Sequence, residues 1–243
     1  MRRFRYLDAL TTAFVVILLV ANLVAQKVFR VGPWHLGGSV YFPAISTSGA
    51  MVLFPITYIF GDVFTEVYGY AASRRAIWLG FFGTALLYAV TALVIALPPD
   101  PEFRTQQAFI TVFGILPRIL IASLISFWAG EFANSYTMAK LKLITKGRWL
   151  WTRTVGSTVV GQAVDTTLVI LITFAGTFTP RKMLEIILTG YLLKVAYEVA
   201  ATPVTYLVVN WLKRAEHSDA FDGQTNFSPF RFAGGKAGQV ENL

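Results

Sequence analysis

Residues 9–29 read ALTTAFVVILLVANLVAQKVF, an apolar run broken only by hydroxyls, by Asn22 and Gln26, and by Lys27 near its end. About 20 apolar residues in helical form span the roughly 30 Å hydrocarbon core of a bilayer. The run follows Arg2, Arg3 and Arg5, as a signal peptide's apolar segment would. It is too long for that segment, however, and Gln26-Lys27 stands where a cleavage site would be, so it reads as a retained transmembrane helix. Five more apolar stretches follow, Gly49–Tyr68, Ala76–Leu97, Ala108–Tyr136, Val155–Ala175 and Met183–Leu212. Pro117 and Pro203 mark places where the fourth and sixth stretches kink or begin.

Composition agrees with this reading. Of 243 residues, 55% are apolar and 14% charged, and mean hydropathy is +0.58. That disfavours a soluble enzyme, a disordered tail and a nucleic-acid-binding module. The formal charge of +8 is assigned to loops instead. With an inside N-terminus, cytoplasmic segments carry twelve basic residues, from Arg2, Arg74 and Arg75 through Lys140–Arg153 to Lys213 and Arg214. The outer loops carry mainly Arg30, Arg104, Arg181 and Lys182. This asymmetry predicts an all-α integral membrane protein, a bundle of six transmembrane helices with both termini cytoplasmic. Residues 1–214 form the membrane domain and 215–243 a polar cytoplasmic tail. Between the first two spans, Gly32-Pro33, Gly37-Gly38 and Pro43 break helical periodicity and predict a short hairpin or lid. Trp34, Tyr41, Trp149 and Trp151 read as interface anchors, and Arg118 as a residue that snorkels outward.

Polar residues inside the spans are costly and usually face a bundle interior or a wet cavity. Asn22 and Gln26, Asp62 and Glu66, and Lys194 and Glu198 are four apart. Glu131 and Asn134, and Gln162 and Asp165, are three apart. Each pair therefore shares one helix face, and five helices present a polar stripe towards a central cavity. The third helix has none and is expected to be a peripheral wall. Blander readings compete. Lys194 and Glu198 could form an internal ion pair, Glu66 could sit at the inner interface, and Asn22 and Gln26 could hydrogen-bond neighbouring helices. Asp62, Glu131 and Asp165 lack a partner on their own helices.

Phe54-Pro55-Ile56-Thr57-Tyr58, Gly61-Asp62, Glu66-Val67-Tyr68-Gly69, Gly130 to Ser135, Gln162 to Thr166, Lys194 to Pro203 and Thr225 to Phe230 together resemble the queuosine precursor transporter family. That family is a branch of the vitamin uptake transporters related to energy-coupling-factor systems. The resemblance implies six helices and uptake of 7-deazaguanine bases such as preQ0, preQ1 or queuine, precursors of a modified tRNA base. No cofactor and no direct nucleic-acid partner are expected. The partners are the small-molecule substrate and the lipid bilayer, with a homodimer and an ATP-driven module left open. A carboxylate can accept a deazaguanine's ring N–H and exocyclic amine together, an amide can serve its carbonyl edge, and an aromatic ring can stack on it. Glu131 or Asp165 is the candidate for the donor edge, with Asn134, Gln162 or Asn22 completing recognition. Asp62 and Glu66 would hold an aminomethyl group or exchange protons, and Lys194 would balance the carboxylates or gate them.

The alternative is a substrate-binding subunit of an ATP-driven energy-coupling-factor transporter, docking through small residues such as Ala9/Ala13 and Ala21/Ala25. An enzyme is disfavoured. There is no cysteine and no His-Glu-x-x-His motif, and His35 and His217 lie outside the spans, leaving only an aspartyl mechanism on Asp62 and Asp165. The expected location is the cell membrane, the inner one where there are two.

Overall fold

In hydrocarbon, backbone N–H and C=O groups must be satisfied within the segment, so even runs rich in Val and Ile become helices. The computed structural model describes residues 4–25, 27–36, 40–42, 45–114, 117–230 and 239–240. Its helices are α1 (Leu7–Val24), α2 (Phe54–Val63), α3 (Tyr70–Ala96), α4 (Gln106–Phe113), α5 (Pro117–Ile144), α6 (Leu150–Phe174) and α7 (Pro180–Glu216). Among the described residues, five helical stretches are long and apolar enough to cross a membrane, namely α1, α3, α4 with α5, α6 and α7. Their outward faces carry large apolar residues such as Leu86, Leu93, Leu192 and Leu207, as a lipid-facing surface requires.

The second apolar stretch is segmented. A 3-10 turn (Gly49–Val52) precedes α2, and a π-helical turn (Phe64–Tyr68) follows it. Ser48 starts the stretch by accepting from Ala50 N and donating to Ala25 O at the end of α1. Gly69 ends it at φ +87°, where an added Cβ would also lie 3.2 Å from Ala220 Cβ. The irregular segment before it is strand. β1 (Val28–Val31) pairs antiparallel with β4 (Ile45–Ser48), and β2 (Trp34–Leu36) with β3 (Val40–Phe42). The side chains of Trp34 and Tyr41 lie outside the described ones, while Trp149 and Trp151 are exposed. Pro117 begins α5, whereas α7 runs through Pro203. Arg118 does more than reach outward: it donates to Ile172 O and Ala175 O at the end of α6, capping carbonyls that have no helical partner.

Helices α5 and α6 cross where neither has a side chain. A Cβ built on Gly130 would lie 2.7 Å from Asp165 Cβ, and one on Gly161 2.7 Å from Asn134 Cβ. Small residues let backbones approach closely, which is how helices associate without a hydrophobic driving force.

At the end of the bundle where α7 finishes, the Glu66 carboxylate gathers three cations. Arg153 binds it through two nitrogens at 3.1 and 2.7 Å, Lys213 at 2.6 Å and Lys142 at 3.3 Å. Asp219 bonds both lysines. The tail does not simply lie over this end but is tied down. Asp222 accepts from Tyr70 N, Arg74 donates to Asn226 O and Ser228 O, and Trp78 donates to Pro229 O. Glu216 accepts from Arg5 N, Tyr6 N and Tyr68 Oη, placing an anion at the N-terminus of α1.

Burial alone would raise the Asp219 carboxyl, but the Lys142 and Lys213 ammonium groups outweigh it and hold it below its ordinary value. A group lowered on folding stabilises above its unfolded value, about pH 4, and that stability fades as pH falls through the lowered folded value. Asp219→Asn should therefore cost about 1–2 kcal/mol at neutral pH, between a surface pair and a buried one. It should also flatten the acid limb of thermal unfolding in detergent, and an acid limb as steep as the wild type's would exclude this role. For the crossing, Gly130→Ala or Gly161→Ala should cost about 1–3 kcal/mol by overpacking. Gly190→Ala, whose added Cβ meets only Thr166 Cγ2 at 3.6 Å, should leave the melting temperature unchanged or raise it.

Candidate functional site: a polar cavity between the helices

Four helices turn one face each towards a cavity of about 270 Å³. From α1 come Phe14, Leu18, Ala21 and Asn22, and from α2 Thr57, Tyr58, Gly61 and Asp62. α5 gives Ser123, Phe127, Glu131 and Asn134, and α6 gives Thr158, Gln162, Asp165 and Val169. Spacings of three and four repeat along each set, the period of a single helix face. The volume is just below the roughly 300–1,000 Å³ of drug-sized sites, so the fitting ligand is small. The cavity reaches Ser48 and Ala50 beside β4.

Seven of the ten residues singled out from the sequence line it: Asn22, Asp62, Glu131, Asn134, Gln162, Asp165 and Lys194. Gln26 lies outside the described residues. Glu198 does not line the cavity. It is fully buried, and neither carboxylate oxygen has a hydrogen-bond partner among the described residues. Lys194 reaches across to α6 and meets Asp165 Oδ2 at 2.6 Å, an interhelical pair in place of the on-helix pair with Glu198 that spacing offered. Glu66 lies in the ion cluster. The widened π turn carries it off the line that Asp62 follows, so four-residue spacing does not put the two on one wall.

Two features went beyond the sequence reading. α3 is not an inert wall: Thr84 lines the cavity, and Tyr88 donates to Asn22 Oδ1 at 2.8 Å. Asn22 also donates to Leu18 O at 2.8 Å. Tyr58 and Phe127 bring aromatic rings to the wall. The signal was present, since Tyr58 is four residues before Asp62 and Phe127 four before Glu131.

The cavity is rich in acceptors without donors. Asp62 Oδ2, Asn134 Oδ1 and Gln162 Oε1 are buried with no hydrogen-bond partner among the described residues. Glu131 Oε2 would lie 3.4 Å from a Cβ on Gly61, and Lys194 acts on Glu131 through its charge without forming a salt bridge to it among the described residues. Buried polar groups left unpaired cost stability, so such a set fits a ligand that brings N–H groups. No group of His, Cys, Asp and Glu suited to a metal is found among the described residues.

Residues 48–208, which take in α2 to α6, most of α7 and every cavity wall except that of α1, match a family described as "Putative vitamin uptake transporter". The chain belongs to this vitamin uptake transporter family. A relative from Bacillus subtilis (strain 168), named "Probable queuosine precursor transporter", is 32% identical over 168 residues, 69% of this chain and 73% of that protein. No solved structure matches. The transporter is thus a multi-pass protein of the cell membrane.

If Lys194 and Asp165 act as a pair, a double-mutant cycle in the purified transporter should give a coupling of about 1–3 kcal/mol. Lys194→Met alone should lower thermal stability, and adding Asp165→Asn should restore part of it. Strict additivity would mean the two charges act separately.

Proposed function

We propose that the chain carries 7-deazaguanine precursors of queuosine across the cell membrane through a bundle of six spans. The segmented Gly49–Tyr68 stretch is the sixth, and both termini are cytoplasmic. The orientation follows from Arg74, Lys140, Lys142, Lys146, Arg148 and Arg214, which belong to the same end as the Glu66 cluster. The cavity then opens from the outer side, beside the strands, while the ion cluster and the docked tail close the inner side.

One observation carries the substrate: the unpaired acceptors of Asn134 and Gln162 gathered beside the Glu131 carboxylate in one small cavity. A deazaguanine base offers ring N–H groups and an exocyclic amine, and so supplies the donors they lack. Because Lys194 already engages Asp165, Glu131 takes the donor edge. Asn134 and Gln162 complete the polar rim, and Tyr58 or Phe127 stacks on the heterocycle. Even with Asp62 set aside, Glu131 and Asp165 outnumber Lys194 on the cavity wall, which favours a base that carries an amine. The name of the Bacillus subtilis relative supports the same substrate class.

Radiolabelled preQ1 should exchange across liposomes containing the purified protein, with unlabelled preQ0 competing less well than unlabelled preQ1. Glu131→Gln should weaken uptake roughly 10- to 100-fold, the worth of a hydrogen bond to a charged group, at unchanged abundance in the membrane. Normal uptake by both Glu131→Gln and Asp165→Asn would remove the site assignment, and absence of any deazaguanine binding would remove the substrate.

A further inference from the structure

Among the described residues, Asp62 and Glu198 are the two acids that combine full burial with carboxylate oxygens left unpaired. Asp62 is 1% exposed and Glu198 0% exposed, on α2 and α7, which pack together. Asp62 Oδ2 and both Glu198 oxygens have no hydrogen-bond partner among the described residues. No cation pairs with either carboxylate among those residues, and the two carboxylates interact electrostatically. The contrast with Glu66, equally buried but held by Arg153, Lys142 and Lys213, is complete.

The groups that face the pair offer no relief. Glu131 and Asn134 approach from α5, Glu66 from the π turn and Tyr58 from α2 itself. Asp165 lies across on α6, and Lys194, one turn before Glu198, is engaged with it. Of these, Asn134 can donate a hydrogen bond to Asp62, and among the described residues the salt bridge of Lys194 goes to Asp165 rather than to either acid of the pair. Two ionised carboxylates so placed would be desolvated and mutually repelled, and groups in that position take up a proton instead. Asp62 lines the cavity and Glu198 does not, so a proton on Asp62 stands at the cavity wall.

We propose that Asp62 and Glu198 form a proton-binding site that couples substrate movement to the proton gradient, one proton riding on the pair in each transport cycle. The proposal rests on the transport reading and adds the energy source to it. An O–H bond forms on one carboxylate when the cavity faces the acidic side. It breaks to water when the cavity faces the other; the substrate-loaded form crosses with the proton on the pair and the empty form returns without it, which closes the cycle. The substrate's own recognition stays with Glu131, Asn134 and Gln162.

The test has an arm that needs no substrate. In the purified wild-type protein at neutral pH, infrared spectroscopy should show a carboxylic-acid carbonyl band that is lost in Asp62→Asn and in Glu198→Gln. A spectrum unchanged by both replacements would overturn the proposal. In liposomes with the outside one pH unit more acidic, the wild type should accumulate labelled preQ1 up to about tenfold, the limit for one proton. Glu198→Gln should equilibrate the base without accumulating it, yet keep exchange of labelled for unlabelled base at equal pH. Accumulation by Glu198→Gln equal to the wild type's, or wild-type accumulation indifferent to the gradient, would also overturn it. A wild type that shows the infrared band but neither binds nor exchanges any deazaguanine leaves the proton site standing and removes the substrate.

Discussion

Two absent methyl groups set the geometry of the site. At Gly130 and Gly161 the backbones of α5 and α6 come within a distance that any Cβ would forbid. The residues beside and around those glycines, Glu131, Asn134, Gln162 and Asp165, are thereby brought opposite one another across a narrow crossing. A wider crossing would separate the two polar faces by a layer of side chains. Closeness also shields these groups from lipid, where a carboxylate or amide would be costly to insert. The glycines therefore do two things at once, supplying the packing that holds the helices together and the proximity that makes four polar groups one surface.

Charge balance separates the acids into kinds. Glu66 is saturated by three cations and Asp219 shares two of them, so this cluster stitches α5, α6, α7 and the π turn at one end. Asp165 is matched one-to-one by Lys194. Asp62 and Glu198 keep oxygens with no partner. A fully matched buried charge resists change, because removing any member leaves another uncompensated. An unmatched one is poised to take something up. Structural and functional carboxylates in this bundle differ in what surrounds them more than in their depth.

Much of this was legible in the sequence. Apolar runs of about 20 residues gave the long helices, and spacings of three and four found most residues of the cavity, because one helix face is a one-dimensional property of the chain. Tyr58, Phe127 and Thr158 obey the same period and were passed over only because aromatic and hydroxyl groups are ordinary inside membranes. What could not be read was partnership between helices. Nothing local says that Lys194 chooses Asp165 over Glu198, that Tyr88 meets Asn22, or that Arg153 from beyond the fifth apolar run turns in to Glu66. The π turn was equally hidden. One extra residue per turn changes no composition, yet it parts Asp62 from Glu66. Docking of the tail depended on backbone carbonyls of residues 226–229, which carry no side-chain signature.

Glu216 closes α7 and also accepts from the backbone N–H groups of Arg5 and Tyr6, just ahead of α1. During synthesis more than two hundred residues separate the emergence of those donors from that of their acceptor. The opening turn of α1 therefore waits, uncapped, until the last span has been threaded into the bilayer. Helix α1, made long before α7, is in this sense secured only after it, and its final seating reports that α7 has arrived.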